Sequence, residues 1–342
     1  MRKETELLEQ VIHAMQHEGL PIVIEDYDLN PKDINLDGTL KIIGVNKPVK
    51  IELVKWATNK NIGVLINKAK LLGKDGILIA DYINPNLARR LKEEGIQFLD
   101  VCGNAYINNK KHFIYVKGNK ATNGLHTQTE HTTGKMYNAT GLKVIFAILY
   151  DENLIDQSYR IIAVQAGVAL GNITKIFTEL KAQGFLVEFK GKRKLIDKER
   201  LFQKWVEYYP NKLRDKLFLG EFLAPTPAWW KNVKIEKFHG VWGGEVGAAN
   251  LTNYLKSQDT IVYLPKLEKF NLVKEAELKK TRGHAGTQQN LVKLFEPFWR
   301  VEDTDEYAPE LLIYADLIAT GDSRNIEVAD LIYKEHIVGH LK

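Results

Sequence analysis

One segment constrains the fold of this 342-residue chain more than any other, because its apolar spacing changes in a fixed order between Gly141 and Tyr209. Three runs have the spacing of amphipathic helices: "GLKVIFAILYDE", "SYRIIAVQAG" and "LGNITKIFTELKAQG". A short turn at Gly167 and Val168 precedes the third helix, and two predicted strands around a hairpin at Gly191 follow it. Helix, helix, turn, helix and basic hairpin in this order predict a winged helix-turn-helix, whose third helix enters the major groove of DNA.

The third predicted helix has an apolar face and a polar face. The apolar face, which we expect to pack inward, comprises Ile173, Ile176, Phe177 and Leu180. Five polar side chains are expected to point outward: Asn172, Thr174, Lys175, Thr178 and Lys181. Asparagine can pair with adenine, and threonine and lysine can reach base edges or phosphates. The outward face therefore suits direct contact with DNA.

The predicted hairpin supplies positive charge beside that helix. It carries four cations within five residues: Lys190, Lys192, Arg193 and Lys194. Such a cluster neutralises phosphates and releases condensed counterions. The alternative is a winged helix that contacts only proteins and exposes a solvated basic hairpin. We expect the basic hairpin to contact phosphates, with double-stranded DNA as the partner.

The composition of the chain excludes several classes of protein. Hydrophobic residues make up 44% of the chain, and its length exceeds one ordinary domain. The net charge of +5 permits a polyanionic partner. The single cysteine, Cys102, excludes a disulfide framework and a multi-cysteine zinc site. "MRKETELLEQ" lacks the apolar core of a signal peptide and no apolar run has transmembrane length, so we expect a soluble, cytoplasmic protein.

The patterns predict an α/β multidomain fold with three domains and a linker. Residues 1–117 alternate strand and helix patterns and form a predicted N-terminal α/β domain. Residues 118–140 are rich in Gly, Asn and Thr and are predicted to be a linker. The winged helix-turn-helix covers residues 141–209. Residues 210–342 form a predicted C-terminal α/β domain, in which the prolines of "FLAPTPAWWKN" prevent a helix.

The N-terminal domain raises the alternative of a metal-dependent enzyme that processes nucleic acids. A restriction-endonuclease-like site needs an acid and then a strand that carries an acid two positions before a lysine. Asp37, Glu52 and Lys55 come close, but Glu52 and Lys55 point to opposite faces of a regular strand. We therefore expect an inactive nuclease-like scaffold with no catalytic residues, no metal and no cofactor. His13 and His17, four positions apart on the opening helix, are expected to be surface residues.

Two small groups of residues in the C-terminal domain have both a structural and a functional interpretation. Gly243 and Gly244 precede a helix and either cradle a phosphate or allow close packing of helix on strand, the interpretation we favour. Asp322 is placed to cap a helix that follows Gly321. Asp316 lies inside the preceding helix, and Arg324 is its nearest candidate partner. We favour a structural ion pair between Asp316 and Arg324 over a binding or catalytic role for the acid.

Four stretches of the C-terminal region together resemble the AbiEi-type abortive-infection antitoxins of type IV toxin–antitoxin systems: "HGVWGGEVGAANLTNYL", "TIVYLP", "LFEPFW" and "PELLIYADLIATGDSRNIEVADLIY". The resemblance implies a transcriptional regulator that binds and represses its own promoter. It also implies a nucleotidyltransferase-like toxin as functional partner, countered without a stable complex. "DGILIADYINPNLARRLKEEGIQFLDVCGNAYI" resembles the extra N-terminal domain of longer members. We therefore expect a long-form, non-enzymatic regulator.

Overall fold

A computed structural model describes most of the chain in two compact units. The described residues are 2–29, 37–43, 45, 47–54, 57, 62–109, 111–120, 134–255, 257–281, 290–300 and 306–341. Met1–His131 forms the N-terminal unit and Thr132–Lys342 the C-terminal unit. Helices and several sheets together make a mixed α/β protein. Among the described helices none alone is long and apolar enough to cross a membrane, although one pair bent by 103° passes that test jointly.

The N-terminal unit is built on a seven-stranded sheet whose strands follow chain order. Its helices are α1 (Arg2–His17), α2 (Ile62–Leu72) and α3 (Pro85–Glu93). Its strands are β1 (Ile24–Asp28), β2 (Gly38–Ile42), β3 (Val49–Val54), β4 (Ile77–Ala80), β5 (Gln97–Asp100), β6 (Ala105–Asn108) and β7 (Phe113–Val116). β3, β4 and β5 are parallel and the other pairs are antiparallel. α2 and α3 make the two crossovers that parallel strands require.

The core of this unit lies against the central strands. Leu8, Val11 and Met15 of α1 pack on Ile77 and Ile79 of β4 in one apolar cluster. β4 and β5 are buried along their whole length, as expected for parallel strands covered on both faces. The apolar spacing of the sequence does not predict α2, because nine of its 11 residues are buried and it lacks the polar stripe that marks a surface helix.

The C-terminal unit begins with a helical segment and a β-hairpin. Its first helices are α4 (Ala139–Tyr150), α5 (Tyr159–Gln165), α6 (Leu170–Ala182) and α7 (Lys198–Tyr209). The hairpin, called the wing below, consists of β8 (Leu186–Phe189) and β9 (Lys192–Leu195). Ordered structure starts before residue 141, because Lys135–Tyr137 forms a 3-10 turn with Met136 buried. The rest of the predicted linker lies partly outside the described residues, at 121–133.

The remainder of the C-terminal unit is a five-stranded sheet with helices. The helices are α8 (Asp215–Leu217), α9 (Gly244–Thr252), α10 (Lys269–Glu275), α11 (Glu310–Thr320), α12 (Ser323–Ile332) and α13 (Val338–Leu341). The strands are β10 (Phe218–Leu223), β11 (Val241–Gly243), β12 (Thr260–Tyr263), β13 (Lys279–Lys280) and β14 (Leu291–Phe295). Their order is β11-β12-β14-β10-β13, and β12 runs parallel to β14.

Aromatic side chains of α7 join these two parts into one core. Trp205 is fully buried, stacks on Tyr209 at 4.8 Å between ring centroids, and donates from Nε1 to the Leu142 carbonyl at 2.9 Å. Phe146 of α4 contacts the ring of Phe298, which follows β14, at 4.9 Å. The helical segment and the α/β sheet therefore share apolar contacts.

Candidate functional site

α6 has the orientation that its sequence predicts. Ile173, Ile176, Phe177 and Leu180 are buried. Thr174, Lys175, Thr178 and Lys181 are exposed, and Asn172 is half-buried. The Thr178 hydroxyl donates to the Thr174 carbonyl at 2.8 Å, so it already has a partner within the helix. Asn172 and Lys175 are thus the residues of this face best placed to meet a ligand near the start of the helix.

The wing lies beside α6 and is tied to it. Lys181 of α6 forms an exposed ion pair with Glu188 of β8, and this ammonium lowers the pKa of the Glu188 carboxyl. The tip consists of Lys190 and Gly191, which both have positive φ (49° and 77°) as a tight two-residue hairpin turn requires. The side chains of Lys190, Lys192 and Lys194 are exposed around it. Three cations are therefore presented next to the polar face of α6.

Arg193 differs from these three lysines. Its guanidinium donates to the Gln157 carbonyl and packs over the rings of Tyr159 and Phe177, 4.9 and 5.3 Å from their centroids. Its backbone N–H donates to the Asp156 carboxylate at 3.0 Å. Arg193 thus anchors the wing to the helices, and its fixed position separates it from the exposed cations of the predicted cluster.

The structure adds one cation that the sequence did not single out. Lys135 lies in the turn before α4, and the neighbouring ammonium of Lys175 lowers the pKa of Lys135. The turn is held against α6 because Glu179 accepts from the backbone N–H groups of Lys135 and Met136, both at 2.8 Å. Lys135 was missed because it lies in the polar stretch predicted to be a linker.

The predicted link between Asp316 and Arg324 is wrong. Asp316 is fully buried in α11 and accepts from the hydroxyls of Tyr263 at 2.7 Å and Tyr209 at 3.2 Å. Its cationic partner is Arg214, whose Nε lies 3.2 Å from Oδ1. Burial nevertheless raises the pKa of the Asp316 carboxyl. Asp316 therefore points from α11 toward α7 and β12, and its cation is Arg214 and not Arg324.

Arg324 lies in the first turn of α12 and faces α9 instead. Its guanidinium donates to Glu245 Oε1 at 2.8 Å, and Asn325 Nδ2 donates to the same oxygen at 2.9 Å. Glu245 Oε2 accepts from the Gln258 backbone N–H at 2.6 Å. The predicted cap is confirmed, since Asp322 accepts from the backbone N–H groups of Arg324 and Asn325.

Gly243 and Gly244 allow a close approach between α9 and β12. A Cβ at Gly243 would lie 2.7 Å from the Tyr263 ring, and one at Gly244 would lie 2.8 Å from Ile261 Cδ1. Gly244 also has a φ of 51°, a conformation that glycine adopts without strain. The predicted close packing is confirmed, and Gly244 also lines a cavity described below.

The candidate nuclease residues of the N-terminal unit are held in structural contacts. The Asp37 carboxylate accepts from the Leu53 backbone N–H at 3.0 Å. Glu52 is buried and pairs with Lys68 of α2, whereas Lys55 lies outside the described residues. Within the described part of the chain, no three His, Cys, Asp or Glu side chains are grouped to hold a metal. His13 and His17 are exposed on α1, as predicted.

These features define a mixed α/β protein in which a helical segment with a basic hairpin shares a compact unit with a five-stranded sheet. Residues 194–338 match the family described as "Transcriptional regulator, AbiEi antitoxin, Type IV TA system". The predicted resemblance is thereby confirmed. The match includes Asp316, Asp322 and Arg324 and begins after α6. No curated protein and no solved structure matches the chain.

Proposed function

We propose that this protein is a DNA-binding transcriptional regulator and the antitoxin of a type IV toxin–antitoxin system. The observation that carries the proposal is the placement of the exposed face of α6 beside the exposed lysines of the wing, on the same unit as the family match. In this proposal residues 135–209 are a winged helix-turn-helix. α6 enters the major groove, and the wing follows the adjacent phosphates.

The two surfaces have different roles in recognition. Asn172 and Lys175 lie in the first two turns of α6, the part of a recognition helix that reaches base edges. Lys190, Lys192 and Lys194 supply sequence-independent attraction, because each phosphate contact releases condensed counterions. Arg193 keeps the wing in position for those contacts. The proposed DNA is the protein's own promoter, and the proposed cell compartment is the cytoplasm.

The antitoxin role follows from the family of residues 194–338. We propose a nucleotidyltransferase-like toxin as the functional partner, opposed without a stable complex. Co-expression with the toxin from the neighbouring reading frame would restore growth, whereas purified toxin and regulator would elute separately in gel filtration. A stable co-eluting complex would overturn this form of antagonism.

The DNA-binding experiment compares two triple variants with the same change of charge. Replacing Lys190, Lys192 and Lys194 with Gln should weaken binding to every duplex and flatten the dependence of log K on log salt by up to about three. The matched control replaces the exposed Lys266, Lys279 and Lys280 of the same unit with Gln and should bind like the wild type. Fluorescence anisotropy at several salt concentrations measures both. Equal losses in the two variants would overturn the wing assignment.

We infer that the N-terminal unit is a nuclease-like scaffold without catalysis. The inference is supported by the order α1, β1, β2, β3, α2, β4 and by the pairing of Glu52 with Lys68 in place of a strand lysine. Incubation of the full chain with Mg²⁺ and promoter duplex should retain intact DNA under conditions that give complete binding. Metal-dependent cleavage that disappears in Glu52→Gln would overturn the inference.

A further inference from the structure

A polar cavity lies in the C-terminal unit, away from α6 and the wing. Its volume is about 310 Å³, and it lies where β12 and β14 begin, beside α9 and the junction of α11 and α12. Six of the residues that line it carry the argument: Arg214, Gly244, Asp259, Lys293, Arg324 and Asn325. This volume is at the lower end of the range found for small-molecule sites.

Lys293 is a cation of the cavity whose charge acts on the nearby carboxyls of Asp259 and Asp316. It lies on β14 between β12 and β10, and the structure gives its ammonium no ion pair or hydrogen bond within the described residues. Arg214 also lines the cavity, and it is ion-paired with Asp316 through Nε while its guanidinium lies 4.9 Å from the centroid of the Phe295 ring. The Nε atom of this guanidinium is buried and makes no hydrogen bond with a described residue.

The acidic groups of the cavity are of two kinds. Glu245 and Asp322 already accept hydrogen bonds, since Arg324, Asn325 and backbone N–H groups donate to them. Asp259 is different, because burial and the nearby Glu245 raise the pKa of its carboxyl, which the charges of Lys293 and Arg324 and a hydrogen bond from the Leu291 backbone N–H only partly offset. Asp259 therefore remains an acceptor with capacity for a further donor.

Asn325 supplies a second acceptor, and this one has no donor among the described residues. Asn325 is 2% exposed, and its Nδ2 donates to Glu245 Oε1 and to the Thr320 hydroxyl at 3.3 Å. These two bonds fix the orientation of the amide. Its Oδ1 is buried and receives no hydrogen bond from any described residue. An unsatisfied buried acceptor is unfavourable, so it is a position where a bound donor is favourable.

We propose that this cavity binds a small phosphate monoester that carries hydroxyl groups, such as a sugar phosphate or a nucleotide. The phosphate would lie against Lys293 and the guanidinium of Arg214, because a phosphate monoester has close to two negative charges at neutral pH and matches two cations. Its hydroxyls would donate to Asp259 and Asn325. Gly244 leaves the wall of the cavity free of a side chain.

Isothermal titration of the full chain tests the proposal with four probes: ribose 5-phosphate, adenosine 5′-monophosphate, ribose and inorganic phosphate. One of the two phosphate monoesters should bind saturably, with ribose and inorganic phosphate each at least tenfold weaker. Preference for the nucleotide would identify the base as part of the ligand, and preference for ribose 5-phosphate would identify a sugar phosphate. Absence of saturable binding by both monoesters, or ribose binding as tightly as its phosphate, would overturn the proposal.

Variants of one lysine assign the binding to this cavity. Lys293→Met should weaken the phosphate monoester at least tenfold, and Lys293→Arg should retain most of the affinity because it keeps the charge. Lys266→Met makes the same change of charge at an exposed position outside the cavity and should bind like the wild type. Thermal melts confirm that each variant is folded, and Lys293→Gln replaces the Met variant should that one not fold. Unchanged affinity in a folded variant lacking the Lys293 charge would overturn the assignment.

Discussion

Asp316 shows how a single residue organises the C-terminal unit. A carboxylate without exposed surface is strongly unfavourable unless hydrogen bonds and a cation compensate it, and here two tyrosine hydroxyls and Arg214 do so. The same burial raises the pKa values of Tyr209 and Tyr263, so both hydroxyls stay protonated and act as donors to Asp316. Arg214, Tyr209 and Tyr263 come from three different elements, and the contact to Asp316 fixes all three.

The first prediction compares how much Arg214 and Arg324 each contribute to the stability of the C-terminal unit. Arg214→Met should destabilise the C-terminal unit by about 3–5 kcal/mol, because it leaves a buried carboxylate without its cation. Arg324→Met should cost less, roughly 1–2 kcal/mol, since Arg324 is a third exposed and Glu245 keeps its donors from Asn325 and the backbone. Urea unfolding followed by tryptophan fluorescence compares the two. A larger loss for Arg324→Met would contradict the observed pairing.

The second prediction concerns Asp81 at the end of β4. Burial raises the pKa of this carboxyl from 3.8 to about 7 in the folded chain. The contribution of its protonated form to stability is fully present below pH 3.8 and is lost as the pH rises through about 7. Asp81→Asn, which cannot ionise, should therefore gain stability relative to the wild type by on the order of 2 kcal/mol between pH 5.5 and 8.5. Urea titrations at both pH values measure the difference, and a constant difference would contradict the raised pKa.

At the scale of elements, α6 and the wing each have residues that anchor them to the core and residues that are exposed to solvent. The buried face of α6 and the side chain of Arg193 are fixed in the core, while Asn172, Lys175 and the wing lysines remain outside. The apolar spacing of the sequence predicts which face of α6 is buried, because that face depends only on the helical period of 3.6 residues. The position of Arg193 depends on aromatic rings of α5 and α6, which periodicity does not place.

The third prediction is that Asn172→Ala and Lys175→Ala each reduce binding to the specific operator by about 1–3 kcal/mol, with little effect on random duplex. Lys181→Ala is the matched control, because the ammonium of Lys181 is already paired with Glu188 and should contribute less. Electrophoretic mobility shifts with both duplexes measure the three variants. Equal losses on the two duplexes would show that Asn172 and Lys175 contact only phosphates.

At the scale of the whole molecule, the helical segment and the five-stranded sheet of the C-terminal unit do not have separate cores. Phe298 from the sheet region contacts Phe146 of α4 and Tyr209 of α7, and Phe202 of α7 contacts Tyr314 of α11 at 5.4 Å. A loss of packing in the sheet region should therefore also destabilise the helical segment. A unit built in this way can couple the state of its α/β part to the position of α6 and the wing.

The fourth prediction tests that continuity. Phe298→Ala should destabilise the C-terminal unit by about 3–5 kcal/mol, as truncation of a buried aromatic residue does. Hydrogen exchange measured by mass spectrometry should then increase in α4 as well as in α11. Leu267→Ala, at an exposed position of the same unit, is the control and should exchange like the wild type. An increase confined to α11 would show that the helical segment is stable on its own.

Local pattern in the sequence determined much of the secondary structure. The three helices, the hairpin at Lys190 and Gly191, the buried face of α6 and the cap at Asp322 all follow from interactions within a few residues. The resemblance of the C-terminal region to this family was also visible, because the motifs that carry it are contiguous stretches of sequence. Such features depend on periodicity, capping and turn geometry, which the chain specifies locally.

Only the tertiary structure decided which charged groups meet. Asp316 pairs with Arg214 instead of Arg324, Arg324 with Glu245, and Glu52 with Lys68 of an unpredicted helix. These partners are distant in the chain, and their meeting depends on how helices and strands pack. The free energy of a buried charge depends on its burial and on every donor around it, and neither quantity is encoded in the spacing of residues along the sequence. For the same reason the sequence does not predict the cavity around Lys293, because the cavity forms only where β12, β14, α9 and α12 pack together.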